Sequence, residues 1–376
     1  MRNARFTFGT IQSDGLKSTT MLFLGLVLLA ASPQKSALAE SSVDFRGQTI
    51  EIIVPYSVGG GTDTWVRSIA PHLGRYLPGN PEISIVNAPG GQAITAANIY
   101  AEEGTLDGHS ILVTASSNQL AYLLGDKRVR YDFSQWRAWL AYRAGAVIYT
   151  SKEMGVDNIQ EFVKKQNKHV VLASLGIASD DLFVLMAFDM LDINASSIFG
   201  IRGRDRARAL FERGDANTDF QTTAAYMTYL KAKEIRGEIV PLFTLGAFDE
   251  SLNYVRDPMF PELPNVAEAY EYVHGSPPEG EAWDAWISLY RAGYGSLKLL
   301  VIPKDTPDSI IAAYDGAATR MINDPEFSAS VADKLGHRPM LSGADANELL
   351  RSRTTISDET RQWIVNWIFE RYGVRL

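Results

Sequence analysis

Cysteine is absent from all 376 residues. Its absence excludes disulfides, thiolate metal centres and a lipid anchor built on a cysteine at a leader cleavage point. Histidine is scarce: His72, His109, His169, His274 and His337 lie scattered, with no pair at metal-ligand spacing. The chain also lacks a G-x-S-x-G elbow, a Walker loop and a G-x-G-x-x-G dinucleotide fingerprint. An excess of basic charge is missing too. Lys and Arg number 36 against 44 Asp and Glu, a net charge of −8. That balance argues against nucleic acid and anionic membrane surfaces as partners.

What is present begins with a leader. Arg2, Arg5 and Lys17 precede the run MLFLGLVLLAA at 21–31, which is too short to span a bilayer comfortably. SALAE follows, placing small Ala37 and Ala39 at the −3 and −1 positions of a signal-peptidase site. Cleavage after Ala39 is expected, removing residues 1–39. Their charged residues sum to +3, so the mature chain moves from −8 to −11. The composition then reads as a soluble, exported periplasmic protein held by its core alone. Any anionic ligand must be captured by local donors, because the overall field repels it.

Downstream, apolar runs alternate with helical periodicity. Strands are expected at 50–54, 83–86, 110–115, 146–150, 170–174, 239–244 and 297–302. Trp65, Ile69, Leu73 and Leu77 form one apolar helix stripe, interrupted by Pro71, which should kink or split it. Further helices are expected at 96–101, 181–191, 204–213 and 222–234, with an almost wholly helical C-terminal stretch. Trp363 and Trp367 share a face there and read as core. Continuous apolar strands between helices imply an α/β fold with parallel sheets covered on both faces, divided between two lobes by the chain length.

Three turns carry the chemistry. IVPYSVGGGTDTW (53–65) is a strand, a glycine turn and a helix start. Bare N–H groups from Gly59 to Asp63, with the Thr62 hydroxyl, can converge on an anion at the positive end of a helix. Asp63 itself reads as a helix cap. VNAPGGQAIT (86–95) repeats the device with Gly90 and Gly91, and TASSNQ (114–119) supplies Ser116, Ser117 and Asn118. Three such strand ends would line one crevice at the carboxyl edge of an open sheet. Arg202 in RGRDRARALFERG is either part of a solvated helix face or a bidentate partner for a second ligand carboxylate. Asp180 and Asp181 read as first-turn helix charges.

IEIIVPYSVGGGTDTWVR, NAPGGQAITAANI and DGHSILVTASS, followed in order by SLGIAS, IRGRDRARALFERGDAN, FPELPNVAEA and VIPKDTP, resemble the periplasmic solute receptors of tripartite tricarboxylate transporters, the Bug family. The resemblance spans nearly the whole mature chain. It implies a two-lobed, Venus-flytrap (type 2-like) periplasmic binding protein with a ligand cleft between two parallel-rich α/β domains. Domain 1 would combine 40–146 and 286–376, and domain 2 would be 147–285 including the return crossing. The implied function is capture of a small di- or tricarboxylate or aromatic acid and its delivery to membrane transporter subunits. No catalysis, cofactor or metal is implied, and a monomer is expected. The ligand would meet Tyr56, Ser57, Gly59, Gly60 and Thr62 from the first turn, Gly90 and Gly91 from the second, and Ser174, Ile177, Ala178 and Ser179 from domain 2. Two departures stand out: Ala178 replaces the family's second loop glycine, and Leu182 a usual histidine. The segment 274–296 has no family counterpart. The competing classes are a sensor for a signalling partner, and a hydrolase on a similar scaffold, which would need a nucleophile–base pair in the cleft.

Overall fold

The computed structural model describes residues 43–165, 169–249, 251–294, 298–336 and 340–376. The leader and its expected cleavage after Ala39 lie outside the described residues. Thirteen strands follow in chain order: β1 Thr49–Val54, β2 Glu82–Asn87, β3 Ser110–Thr114, β4 Trp136–Tyr142, β5 Ala146–Ser151, β6 Val170–Ala173, β7 Ala195–Ile198, β8 Thr218–Thr222, β9 Ile239–Thr244, β10 Ala247–Phe248, β11 Tyr254–Val255, β12 Lys298–Pro303 and β13 Met340–Ser342. They form a six-stranded sheet of order β13-β4-β12-β3-β1-β2, a five-stranded sheet of order β7-β6-β8-β5-β9, and the short pair β10-β11.

The sheets are mixed rather than parallel throughout. β1 pairs in parallel with β2 and β3, while β12 enters antiparallel between β3 and β4. In the second sheet β6 runs parallel to β7 and β8, and β5 antiparallel to β8 and β9. The parallel trios position the site. Parallel strands end at a common edge, so the turns after β1, β2 and β3 share one sheet edge, and those after β6, β7 and β8 share another.

Strand and helix cores follow from the sequence pattern. Ile50, Ile52 and Val54 point into the six-stranded side together with Trp65, Ile69 and Leu73 from the helix Gly61–Tyr76. That helix is a single element with Pro71 inside it, so the expected split does not occur. The ring of Trp65 stacks on Tyr142 at 5.9 Å. Around the second sheet, Phe183, Trp286, Leu289 and Tyr290 are fully buried in one cluster. The segment 274–296 supplies three of these four residues, through the helix Glu281–Leu289 and the turn that follows it. The C-terminal helix Asp358–Tyr372, expected with the first domain, buries Ile364 and Ile368 in this same cluster. Its Trp367 Nε1 donates to Asp189 Oδ2 at 2.9 Å.

Trp286 is the centrepiece of that cluster, stacked between Trp283 at 5.3 Å and Tyr290 at 4.9 Å, with Nε1 donating to the Phe183 carbonyl at 3.0 Å. Trp286→Ala should therefore cost about 3–5 kcal/mol in chemical denaturation, the range for deleting a large buried aromatic. A loss under about 1 kcal/mol would show that the cluster contributes little to stability.

Candidate ligand-binding site

A cavity of about 550 Å³ opens where the two sets of strand ends meet. From the six-stranded side it is lined by Tyr56, Ser57, Gly60 and Thr62 after β1, by Gly90 and Gly91 after β2, and by Ser117 after β3. From the other side come Asp180 after β6, Arg202, Gly203, Arg204 and Arg206 after β7, and Thr222 at the end of β8. Eight residues expected at the site on sequence grounds thus share one wall system: Tyr56, Ser57, Gly60, Thr62, Gly90, Gly91, Ser117 and Arg202.

Seven others are placed elsewhere, each for a physical reason. The Gly59 N–H donates to Asp63 Oδ2 at 2.8 Å, so both residues brace the first turn from behind. Asp63 also accepts from Arg67 Nε at 2.9 Å and from Asn87 Nδ2 at 2.9 Å, tying the first turn to the end of β2. The Ser116 hydroxyl is spent on Asp180 at 2.6 Å. Ser174 is fully buried and accepts from the Gly176 N–H at 3.2 Å. Ser179 is buried as well, its hydroxyl near the Gly176 carbonyl and Asp181 at 2.5 Å each. Ile177 and Ala178 face a separate hollow beside Asp126, Arg128 and Val374. The loop after β6 therefore uses its serines to hold its own shape and presents Asp180 to the cavity.

Asp180 is the residue that sequence reasoning missed. Although it occupies the N-cap position of the helix Asp181–Met190, its side chain makes no capping bond. Instead its Oδ1 accepts the Ser116 and Ser117 hydroxyls at 2.6 and 2.7 Å. Asp181 turns the other way. It accepts from the Leu175 N–H at 3.1 Å and from Arg204 Nη1 at 2.6 Å.

Arg204 organises the second wall. Buried, it bonds the carbonyls of Ala173 and Phe220 at 3.1 and 3.0 Å, pairs with both Asp181 and Asp219, and lies 3.9 Å over the Phe220 ring. Tyr149 donates its hydroxyl to Asp219 at 2.6 Å, and Gln221 Nε2 adds a bond at 3.0 Å. Burial raises both carboxyls above the usual range, and Arg204 opposes that rise. Arg202 and Arg206 are exposed at the cavity wall, and among the described residues neither has a carboxylate partner.

Four buried polar atoms of the wall have no hydrogen-bond partner among the described residues: Tyr56 Oη, Gln92 Oε1, Arg204 Nε and Thr222 Oγ1. Such atoms cost free energy unless something binds them. Burial, and then the charge of Asp180, hold the Tyr56 phenol well above its ordinary pKa, so it stays a neutral donor. The second turn is strained where it lines the cavity. Gln92 and Ala93 both adopt left-handed backbone, at φ 60° and 72°. Such conformations cost about 1 kcal/mol or more in non-glycine residues.

Beneath the first turn, Lys298 donates Nζ to the Gly61 carbonyl at 2.5 Å. Burial lowers its pKa to about 7, against the opposing pull of Asp180. Among the described residues no group of three or more His, Asp or Glu could hold a metal ion, and no helix is long and apolar enough to cross a membrane.

No family model matches the chain, and no curated protein does. Solved structures do. The periplasmic binding protein BugD aligns with 87% of this chain and 98% of its own at 20% identity, with a TM-score of 0.64. MatC from Rhodopseudomonas palustris with bound malate aligns over 84% and 98% at 18% identity and TM-score 0.62. A second R. palustris protein with adipate aligns over 88% and 99% at 18% identity and TM-score 0.65. The chain has the periplasmic binding-protein fold. In this fold the cavity falls between two sheet edges, one of them the edge that carries the turns at 53–65, 86–95 and 114–119.

Two variants test the supports of the wall. Arg204→Gln leaves Asp181 and Asp219 buried without their cation and should cost about 3–5 kcal/mol in a denaturant titration. A loss below 1 kcal/mol would show that water already reaches the pair. For Lys298, a folded pKa near 7 against about 10.4 unfolded means the unfolded chain holds more protons between those values. Stability should rise as pH climbs through that window. Melting curves of wild type and Lys298→Met from pH 6.5 to 9.5 should show wild type gaining on the variant as pH rises. A gap independent of pH would refute the depressed pKa.

Proposed function

We propose that this protein captures a small organic carboxylate in the periplasm and delivers it to a membrane transporter of the tripartite tricarboxylate type. The observation that carries this reading is the convergence of two glycine turns, Tyr56, and Arg202 and Arg206, which have no carboxylate partner among the described residues, on one cavity. Main-chain N–H groups and a pair of guanidinium groups bind carboxylates through charge-assisted hydrogen bonds. The chain as a whole is acidic, so this local set of donors must do the capturing. The leader motif at 1–39 fits export, and the fold shared with receptors solved with malate or adipate fits a carboxylate ligand.

The two sheets belong to two lobes that close over the ligand, and the closed form is what the transporter subunits read. At the cavity the two sides meet through polar contacts, Ser57 donating to Asp205, and Ser116 and Ser117 to Asp180. The protein binds as a monomer and carries out no reaction on what it binds.

Thermal-shift screening against mono-, di- and tricarboxylates, aromatic acids and amino acids should find a compound that raises the melting temperature. RT ln(1 + [L]/Kd) gives about 2.7 kcal/mol at a hundredfold excess over Kd. Gly60→Val, which fills the cavity wall, should abolish the shift while leaving far-ultraviolet circular dichroism unchanged. A response only to sugars or nucleotides, or an undiminished shift in Gly60→Val, would overturn the reading.

A further inference from the structure

The cavity wall carries free charge of both signs. Asp180 is 9% exposed and lines the cavity, yet no arginine, lysine or histidine among the described residues pairs with it. Both hydroxyls it receives converge on Oδ1, and among the described residues no donor reaches Oδ2. That oxygen faces the cavity and is left to whatever donor occupies it, water or a ligand group. On the other side of the balance stand Arg202 and Arg206, cations at the wall without carboxylate partners among the described residues. Arg204 contributes no free charge, because Asp181 and Asp219 use it. Lys298 does not neutralise Asp180 by contact. Its Nζ is committed to the Gly61 carbonyl, and burial leaves it only partly protonated near neutral pH.

We infer that Asp180 is a specificity residue and that the ligand is an amino-carboxylate, its ammonium meeting Asp180 and its carboxylate the glycine turns and arginines. This rests on the carboxylate-receptor reading and narrows it. A ligand bearing only carboxylates sets like charge against a buried anion. A zwitterion supplies the missing donor to Oδ2 and leaves both signs of the wall matched.

Isothermal titration of the protein at pH 7 with two matched sets tests this: hexanoate, adipate and 6-aminohexanoate, and glutarate with glutamate. In at least one set the amine-bearing compound should bind about tenfold or more tighter than its carboxylate-only partners, the size of one hydrogen bond to a charged group. Asp180→Asn keeps an acceptor for Ser116 and Ser117 while removing the charge, and should abolish that preference and strengthen binding of the dicarboxylate. If carboxylates bind wild type with no gain from the amine, or if Asp180→Asn retains the preference, the inference fails while the receptor reading stands. If none of these acids nor any other carboxylate binds, both fail. The wild-type comparison decides the matter even if the variant does not fold.

Discussion

The second half of the site depends on one guanidinium. Arg204 joins the loop after β6 to β8 through Asp181, Asp219 and two carbonyls, with the Phe220 ring beneath it. An arginine can do this because its planar fork offers donors in several directions at once, and a lysine could not match the geometry. With Asp181 held there, the loop Ser174–Asp180 is tied at its far end and closed by its own serine bonds. Ser179 is drawn inward, Asp180 is turned outward, and the cavity acquires a carboxylate. Buried ion pairs are weak sources of net stability, and their best-attested use is to select one arrangement over others. Here the selected arrangement is the wall of a cavity.

The same network explains what was hard to read in the sequence. TDFQT at 218–222 does not resemble a strand, since four of its five residues are polar, yet all are buried in β8. Its Asp219 carboxylate and Gln221 Nε2 are held by Arg204, Tyr149 and one another, and Arg204 and Tyr149 lie well away in the chain. Periodicity cannot register a strand whose burial is licensed by remote charges. WRAWLAY, which is β4, was likewise passed over, and ASSI, which is β7, is a half-exposed edge with little apolar signal. The strand-and-glycine turns were legible because their meaning is local. Backbone geometry, more than distant partners, makes Tyr56, Ser57, Gly60, Gly90 and Gly91 into cavity wall. On the loop after β6, the side chains that the resemblance implied turn away from the cavity, and Asp180 turns toward it. Ser174 and Ser179 bond within the loop, and Asp180, which reads in the sequence as a first-turn helix charge, bonds Ser116 and Ser117 across the cavity.

Electrostatics in this molecule work against its global balance. The chain is net negative, and the free arginines at the cavity stand on a helix start crowded with other charges. Low overall potential with concentrated local donors favours selectivity over capture rate, since long-range steering of anions is surrendered and short-range matching decides what stays. Burial sharpens that matching. Asp180 is buried, and Lys298 beneath the first turn is buried enough to lose most of its usual basicity.

The two sides of the cavity meet through reciprocal gaps. Gly61 leaves room for the Thr222 side chain, Gly203 for that of Ser57, and Gly176 for that of Gln92. In the first pair the six-stranded side supplies the empty place; in the other two it supplies the polar side chain that fills one. A methyl group at any of the three glycines would overlap its opposite number. These positions are therefore bound in couples across the cleft. Evolution can enlarge one member only by whittling down the other, and sequence drift at the rim has to proceed in step on both banks.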